Sequence, residues 1–243
     1  MNIIETRQLE KSFGGIQAVD HLSISIQEGL ITGLVGPNGS GKTTLINLLS
    51  GFYPHDSGKI FFSNTERKNI FPDENQIFNI TRTFQQIRLF DQMNVLDNLL
   101  VVLTERNPFL ALFERHNKYH INQAENILKR VDLFEKRFEN ALNLSYGQRK
   151  LLEIARVLAM NTNIILLDEP FAGLFPEVAK KIENIIKELR TEGKTIILIE
   201  HNMSVIRDLC DYLIVMDAGK LLAEGNPEKV LEKQVVLEAY LGE

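Results

Sequence analysis

The chain has 243 residues, of which 44% are hydrophobic and 24% are charged, and its formal net charge at pH 7 is −5. These values are ordinary for a globular protein and exclude a disordered or fibrous chain, and the negative charge argues against a general nucleic-acid-binding surface. Cys210 is the only cysteine, which excludes an internal disulfide and a zinc site built from cysteines.

Neither a membrane-spanning helix nor a signal peptide is predicted. No stretch approaches the roughly 20 apolar residues that span a bilayer. The start, Met1-Asn2-Ile3-Ile4-Glu5, has no basic segment followed by an apolar run. We therefore expect any action at a membrane to depend on a partner.

The first third of the chain is predicted to be rich in β-strands. Leu22, Ile24 and Ile26 alternate with polar residues, the pattern of one strand with a single buried face. Residues 30–35 are mostly apolar, which favours a central parallel strand covered on both faces. A glycine-rich loop follows, then a helix predicted from Lys42 to Ser50 and closed by Gly51, and then a second β segment around residues 57–62.

Residues 87–160 have a different character. Apolar residues recur at helical spacing, as at Val95, Leu99 and Val102, and glycine is almost absent before Gly147. We therefore predict a helical subdomain over residues 87–160, inserted into the surrounding domain.

Strands and helices alternate again after residue 160. Apolar strands are predicted at residues 164–167 and 195–199, with a helix between them that has Pro176 in its first turn. Residues 212–216 and 220–223 flank a turn that contains Gly219, the pattern of a hairpin. The predicted fold is α/β over residues 1–243. Its core (1–86 and 161–243) has helices on both faces of a sheet and an antiparallel β portion near the N-terminus.

A phosphate-binding loop is predicted between the apolar strand and the first helix. Gly36-Pro37-Asn38-Gly39-Ser40-Gly41-Lys42-Thr43, followed by Thr44, fits the P-loop pattern. The glycines let backbone N–H groups turn toward phosphates, and the helix N-terminus adds positive partial charge. Lys42 would contact the phosphates, and the Thr43 hydroxyl would coordinate Mg²⁺. The alternative is a flexible turn with a surface lysine, which would not require the flanking strand and helix.

Two acids end the apolar strand at residues 164–167. Ligands of open α/β sheets bind at the carboxyl ends of strands, so both side chains would face the phosphates. Asp168 would hold Mg²⁺, and Glu169 would orient or deprotonate an attacking water. The alternative is an acidic pair that caps the next helix, and the P-loop argues against it.

Leu144-Ser145-Tyr146-Gly147-Gln148 resembles the signature motif of ABC ATPases, usually written LSGGQ, with Tyr146 in place of one glycine. The resemblance spans the chain and implies that Ser145, Gly147 and Gln148 contact the γ-phosphate of an ATP held by a second subunit. The same residues also fit a helix N-cap, with Ser145 and Gln148 forming a capping box, and both interpretations can hold together.

The resemblance implies roles for three further residues. Gln85 matches the glutamine that contacts Mg²⁺ and water where the core meets the helical subdomain. His201 matches the histidine that hydrogen-bonds the γ-phosphate, and Phe13 matches the aromatic residue that stacks on adenine. The alternative for Phe13 is an ordinary packed side chain, and the other four histidines are expected to be surface residues. One departure is Phe175, where the family usually has Asp or Asn in the D-loop at the dimer interface.

Several segments most resemble the ATPases of branched-chain amino acid importers, namely Arg82-Thr83-Phe84-Gln85, Arg88-Leu89-Phe90, the LSYGQ signature, and the ending Ala239-Tyr240-Leu241-Gly242-Glu243. The ATPase of lipopolysaccharide export is an alternative, since it shares the sequence DEPFAG, which occupies residues 168–173 of this chain. A soluble ABC machine or a regulator without turnover are more distant alternatives. The absence of a second P-loop and of heptads counts against the first, and the intact Glu169 counts against the second.

The resemblance also implies the cofactors and partners. ATP and Mg²⁺ would bind between two such subunits, identical or different, on the cytoplasmic face of a membrane. Integral membrane permease subunits would be the other partners, and no nucleic acid is expected. A groove that receives the permease is expected near Gln85, with Phe90, Met93 and Val95 as candidates, although these three could instead be core residues.

Overall fold

The computed structural model describes residues 1–67, 79–103 and 118–241. The chain divides into two compact units. The first comprises Met1–Arg82, Asn163–Glu169 and Lys187–Glu243, and the second comprises Thr83–Thr162 and Pro170–Ile186. The assignment of residues 87–160 as an inserted subdomain remains a prediction.

The first unit contains an antiparallel sheet built around one long strand, β1. Its strands run in the order β2-β1-β5-β6, and β3 also pairs with β1. Their bounds are β1 Asn2–Phe13, β2 Ile16–Leu22, β3 Ser25–Gln27, β5 Ser57–Phe62 and β6 Thr65–Arg67. This sheet confirms the antiparallel β portion that the sequence predicts near the N-terminus.

The single strand expected around residues 22–27 is wrong, because the chain bends between β2 and β3. Leu22 pairs with Leu9 in the second half of β1, whereas Ser25 pairs with Glu5 in the first half. The Thr6 hydroxyl stabilises the bend, since it donates to the Leu22 carbonyl (3.0 Å) and accepts from the Ile24 N–H (3.1 Å). The apolar alternation persists because both segments bury the same face.

A six-stranded sheet forms the centre of the first unit, in the order β11-β10-β4-β9-β8-β7. Its strands from β10 to β7 are parallel, and β11 is antiparallel to β10. Their bounds are β4 Ile31–Val35, β7 Ile80–Arg82, β8 Ile164–Asp168, β9 Thr195–Ile199, β10 Tyr212–Asp217 and β11 Lys220–Gly225. Every residue of β4, β8 and β9 is buried, as expected for strands that are covered on both faces.

The helices of the first unit cover this sheet. They are α1 (Lys42–Leu49), the C-terminal part of α5 (Pro176–Thr191), α6 (Met203–Leu209), α7 (Pro227–Leu231) and α8 (Gln234–Leu241). Ser50 is the C-cap of α1, and Gly51 follows with φ 71°, close to the predicted end of the helix. In the part of the chain that the structure describes, no helix is long and apolar enough to cross a membrane.

The second unit is helical. It contains α2 (Val95–Leu103), α3 (Lys118–Arg130), α4 (Tyr146–Met160) and the N-terminal part of α5. Leu99 of α2 and Leu128 of α3 are fully buried in it, as the helical periodicity predicts, and Val131 and Leu133 are buried just past the end of α3. Residues 83–94, named the Gln85 segment, contain neither helix nor strand.

Candidate functional site

The glycine-rich loop between β4 and α1 accepts only glycine at two positions. A Cβ added to Gly36 would lie 2.0 Å from the Met216 carbonyl oxygen, and one added to Gly41 would lie 2.2 Å from that of Ala18. Gly39 and Gly41 have φ of 79° and 98°, which side chains rarely adopt. No side chain caps α1, so its first N–H groups suit an anion.

Lys42 is buried at the start of α1, and its ammonium group lies within the loop. The Nζ atom donates to the carbonyl oxygens of Gly36 (2.7 Å) and Pro37 (2.9 Å) and lies 3.3 Å from Ser40 Oγ. The neighbouring Thr43 is exposed, Thr44 is half-buried, and Asn38 is exposed at the tip of the loop. The loop therefore presents one buried cation, one exposed hydroxyl and a helix N-terminus to the same space.

Asp168 ends β8 in a buried polar cluster. Arg82 Nη2 lies 3.3 Å from Asp168 Oδ2, and both side chains are less than 10% exposed. Arg82 Nη1 also donates to Asn47 Oδ1 (2.5 Å) and Ser50 Oγ (3.1 Å) on α1. Arg82 thus links β7, the helix after the glycine-rich loop and the acid. Sequence reasoning gave this residue no role, since the contact joins positions 86 residues apart.

Glu169 and His201 meet at the carboxyl ends of two neighbouring strands. His201 Nε2 lies 3.0 Å from Glu169 Oε1, and the Glu169 N–H donates to the Ile199 carbonyl (3.1 Å). Glu169 has φ 47°, which is a left-handed backbone conformation. This conformation is unfavourable for any residue other than glycine, and such residues concentrate at functional positions. The structure brings together the acid that was predicted to act on the attacking water and the histidine that was predicted to bond the γ-phosphate.

Phe13 ends β1 beside a second aromatic ring. It is 41% exposed, its centroid lies 5.2 Å from that of Tyr53 in an edge-on arrangement, and Lys11 Nζ lies 5.3 Å from the ring centre. A packed core phenylalanine would be buried, so the exposed face remains available for stacking. Tyr53 was missed because no sequence pattern connects it with Phe13.

The signature motif of the second unit is a helix N-terminus. Ser145 is the N-cap of α4 and forms the capping box with Gln148, so this interpretation of the motif is confirmed. Gly147 packs against Val178, since a Cβ there would lie 3.1 Å from Val178 Cγ2. Gln85 is exposed in the Gln85 segment. The four predicted site residues Ser145, Gly147, Gln148 and Gln85 thus lie in the second unit. The glycine-rich loop, Asp168, Glu169 and His201 lie in the first unit.

Tyr146, which replaces the first glycine of the signature, contacts the segment after β8. Its hydroxyl lies 3.4 Å from the Ala172 carbonyl oxygen, and a Cβ on Gly173 would lie 3.4 Å from its ring. Phe175, at the end of that segment, is 82% exposed. The two departures from the family pattern therefore differ, because Tyr146 has an internal partner and Phe175 presents its ring to solvent.

One groove candidate is wrong. Phe90 and Met93 are 43% and 38% exposed, but Val95 is fully buried. Val95 begins α2, and its N–H donates to the Glu139 carbonyl (3.0 Å), so its side chain faces the helical core. Phe90 and Met93 stay candidates for the groove.

Comparison with known proteins gives consistent matches. The family model described as ABC transporter matches residues 19–172. The probable branched-chain amino acid transport ATP-binding protein LivG of Methanocaldococcus jannaschii is 38% identical, and the alignment covers 100% of this chain and 98% of that protein. The high-affinity branched-chain amino acid transport ATP-binding protein LivG of Escherichia coli K12 is 36% identical, and the alignment covers 99% of this chain and 98% of that protein.

Solved structures agree with these sequence matches. The ADP conformation of an ATP-binding cassette of an ABC transporter has a TM-score of 0.87 at 38% identity, with both chains covered completely. A dimeric post-hydrolysis state of another ATP-binding cassette, bound to ADP and Pi, has a TM-score of 0.80 at 26% identity. That match covers 92% of this chain and 98% of the other. The predicted α/β cassette fold is thereby confirmed.

Proposed function

This chain belongs to the ABC transporter family, and we propose that it hydrolyses Mg-ATP to drive a branched-chain amino acid importer. Membership in the family makes it an ATP-binding ATPase subunit of a transporter.

The glycine-rich loop is the proposed phosphate site. Its backbone N–H groups, the uncapped start of α1 and the buried Lys42 ammonium form a cationic cradle. A phosphate oxygen would replace the carbonyl oxygens that Lys42 now contacts, because an ionised acceptor forms the stronger hydrogen bond. Phe13 would stack on the adenine with its exposed face. The residues of this subunit that we propose to contact ATP are Phe13, Gly36, Pro37, Asn38, Gly39, Ser40, Gly41, Lys42, Thr43 and Thr44.

Magnesium would be held by hydroxyl and carboxylate oxygens. Thr43 at the start of α1 and Asp168 at the end of β8 supply the hard oxygen ligands that Mg²⁺ prefers, and the family resemblance adds Gln85. When bound, the metal would neutralise charge on the phosphate oxygens. Arg82 would keep Asp168 oriented through the contact at 3.3 Å.

Glu169 and His201 are the proposed catalytic pair. Glu169 would accept a proton from the attacking water or orient it, and His201 would hold Glu169 in place and donate to the γ-phosphate. The contact of 3.0 Å between them is the observation that carries the proposal. It supports these roles because it joins a carboxylate and an imidazole at the carboxyl end of the sheet, where nucleotides bind in α/β folds.

A second ATP-binding subunit is the proposed partner at the signature motif. Ser145, Gly147 and Gln148 begin α4, and their exposed helix N-terminus suits the γ-phosphate held by that subunit. The dimeric cassette among the similar structures supports this arrangement. Integral permease subunits would place the dimer on the cytoplasmic face of the membrane.

The importer assignment depends on the relatives rather than on the site. Similarity to LivG proteins over nearly their whole length favours branched-chain amino acids over lipopolysaccharide as the cargo. Transport of labelled leucine into proteoliposomes that contain this chain and its permease tests it. ATP-dependent leucine uptake that is lost in Glu169→Gln supports the assignment, and ATP turnover without uptake of any branched-chain amino acid contradicts it.

A further inference from the structure

One face of the signature helix α4 carries three charged side chains that contact the Gln85 segment. Arg149, Glu153 and Arg156 are spaced four and three residues apart, so they project from the same side of the helix. Each of them contacts a different part of the segment. We name this set the strap face.

The contacts of the strap face with the Gln85 segment are specific. Arg149 Nη2 lies 2.6 Å from Asp91 Oδ1. The Glu153 carboxylate accepts the backbone N–H of Phe84. Arg156 donates to the Arg88 carbonyl and lies over the Phe90 ring at 5.1 Å. A segment without helix or strand is thus fixed through its backbone at two positions and through side chains at two others.

Glu153 is the unusual member of the strap face because its carboxyl group is buried beside a buried lysine. It is 6% exposed, and its carboxylate lies 2.9 Å from Lys150 Nζ, whose residue is 1% exposed. Burial raises the pKa of the Glu153 carboxyl, and the Lys150 ammonium and the Phe84 N–H oppose that rise. Two apolar residues would pack as well at lower desolvation cost, so stability alone does not account for the pair.

We propose that Glu153 is a positioning residue that fixes the Gln85 segment to the signature helix, so that the two move as one body. This inference rests on the proposed roles of Ser145 and Gln85. Phe84, whose N–H Glu153 accepts, is the residue immediately before Gln85. Ser145 caps the same helix two turns from Glu153. A displacement of α4 at the partner's nucleotide would therefore shift Gln85 by a comparable amount.

A matched pair of variants isolates the acceptor. Lys150→Met with Glu153→Gln removes both charges but keeps a side-chain oxygen for the Phe84 N–H. Lys150→Met with Glu153→Leu removes the charges and the oxygen at similar volume. Both replace the ion pair as a whole, the kind of change that buried pairs tolerate. Any difference between the two proteins therefore reports the hydrogen bond alone.

Hydrogen exchange and turnover are measured on the purified full-length chain. In the Leu variant we expect the Phe84 amide to exchange at least about tenfold faster than in the Gln variant, with exchange across α4 unchanged. We also expect turnover to fall about tenfold with the KM for Mg-ATP within about twofold, because a hydrogen bond to a buried group is lost but the phosphate loop is not.

Two results would overturn the proposal. Equal turnover in the two variants, with the amide deprotected only in the Leu variant, would show that the strap face does not couple to catalysis. A Phe84 amide that exchanges freely in the unmodified protein would refute the contact itself, even if the Leu variant failed to fold. Lack of turnover in the unmodified protein would count against the proposed function instead, and the exchange comparison would still decide the contact.

Discussion

His201 Nε2 and Glu169 Oε1 lie 3.0 Å apart although the residues are separated by 32 positions. The contact follows from the topology, since Glu169 follows β8 and His201 lies two residues past the end of β9, and these parallel strands pair with Asp168 opposite Ile199. The backbone of Glu169 is left-handed, with φ 47°, a strained conformation that concentrates at functional positions. An acid fixed in this way is suited to act on one water rather than to cap a helix.

Glu169→Gln should abolish turnover and preserve Mg-ATP binding. The amide keeps the shape of the side chain but cannot accept a proton, so we expect a fall in kcat on the order of 10²–10⁴. Steady-state hydrolysis and the nucleotide Kd check this. Glu232→Gln, which changes an exposed acid, should leave both values unchanged. A kcat within tenfold of the unmodified protein would contradict the assigned role of Glu169.

Lys42→Ala should weaken nucleotide binding about 100-fold or more. The variant removes the ammonium that now bonds Gly36 and Pro37 and would bond phosphate oxygens in charge-assisted contacts. Fluorescence titration with a labelled ATP measures the Kd. Lys233→Ala, at an exposed position, is the control, and an equal loss in both variants would point to general charge rather than the loop.

Ser145→Asp should stop turnover while leaving stability and binding intact. Aspartate is as good an N-cap as serine, so α4 keeps its cap, but its charge would repel the γ-phosphate that the partner holds. Ser145→Arg should have the same effect on turnover and should also lose the cap, at a cost of about 1 kcal/mol. The thermal midpoint and kcat separate the two effects. Turnover of the Asp variant at the normal rate would refute a shared site.

Arg82→Met should lower the free energy of unfolding by about 3 kcal/mol, because it leaves the buried Asp168 carboxylate without its guanidinium partner. Arg82→Lys keeps the charge but loses the simultaneous contacts with Asn47 and Ser50, so its loss should be smaller. Urea denaturation gives both values. Equal stability of Arg82→Met and the unmodified protein would mean that the arginine adds nothing to the fold.

The Cys210 thiol should be unreactive in the folded protein. Burial raises its pKa to about 12, above the value of about 9 that applies in the unfolded chain. The folded state therefore gains from this group below pH 9 and loses that gain as the pH rises from 9 toward 12. Thiol labelling at pH 8 should proceed only at the unfolding rate and be complete in urea. Fast labelling without denaturant would contradict the burial.

The sequence predicts most of the site because its motifs are local. The glycine-rich loop lies between a strand and a helix, and Asp168 and Glu169 end an apolar strand, so pattern and position define both. The contacts of Arg82 with Asp168, of Tyr146 with Ala172, and of Glu153 with Phe84 join residues 86, 26 and 69 positions apart. No periodicity encodes such pairs, because tertiary packing alone determines them.

Two errors have the same origin. The alternation at Leu22, Ile24 and Ile26 reports which face is buried, and it does so correctly. It does not report that the pairing with β1 is interrupted between Leu22 and Ser25, where the Thr6 hydroxyl bonds the Leu22 carbonyl and the Ile24 N–H instead. Val95 has the apolar character of a groove residue, but apolar character alone does not distinguish an exposed groove from a helical core.

The solution mass of Glu169→Gln with and without Mg-ATP tests the central claim, a nucleotide site shared between two subunits. Blocking turnover should trap the closed state, so we expect a monomer without nucleotide and a dimer at saturating Mg-ATP, and a monomer again when Ser145→Asp is added. A protein that binds Mg-ATP yet keeps the mass of a monomer would contradict a site completed by a second copy of this chain.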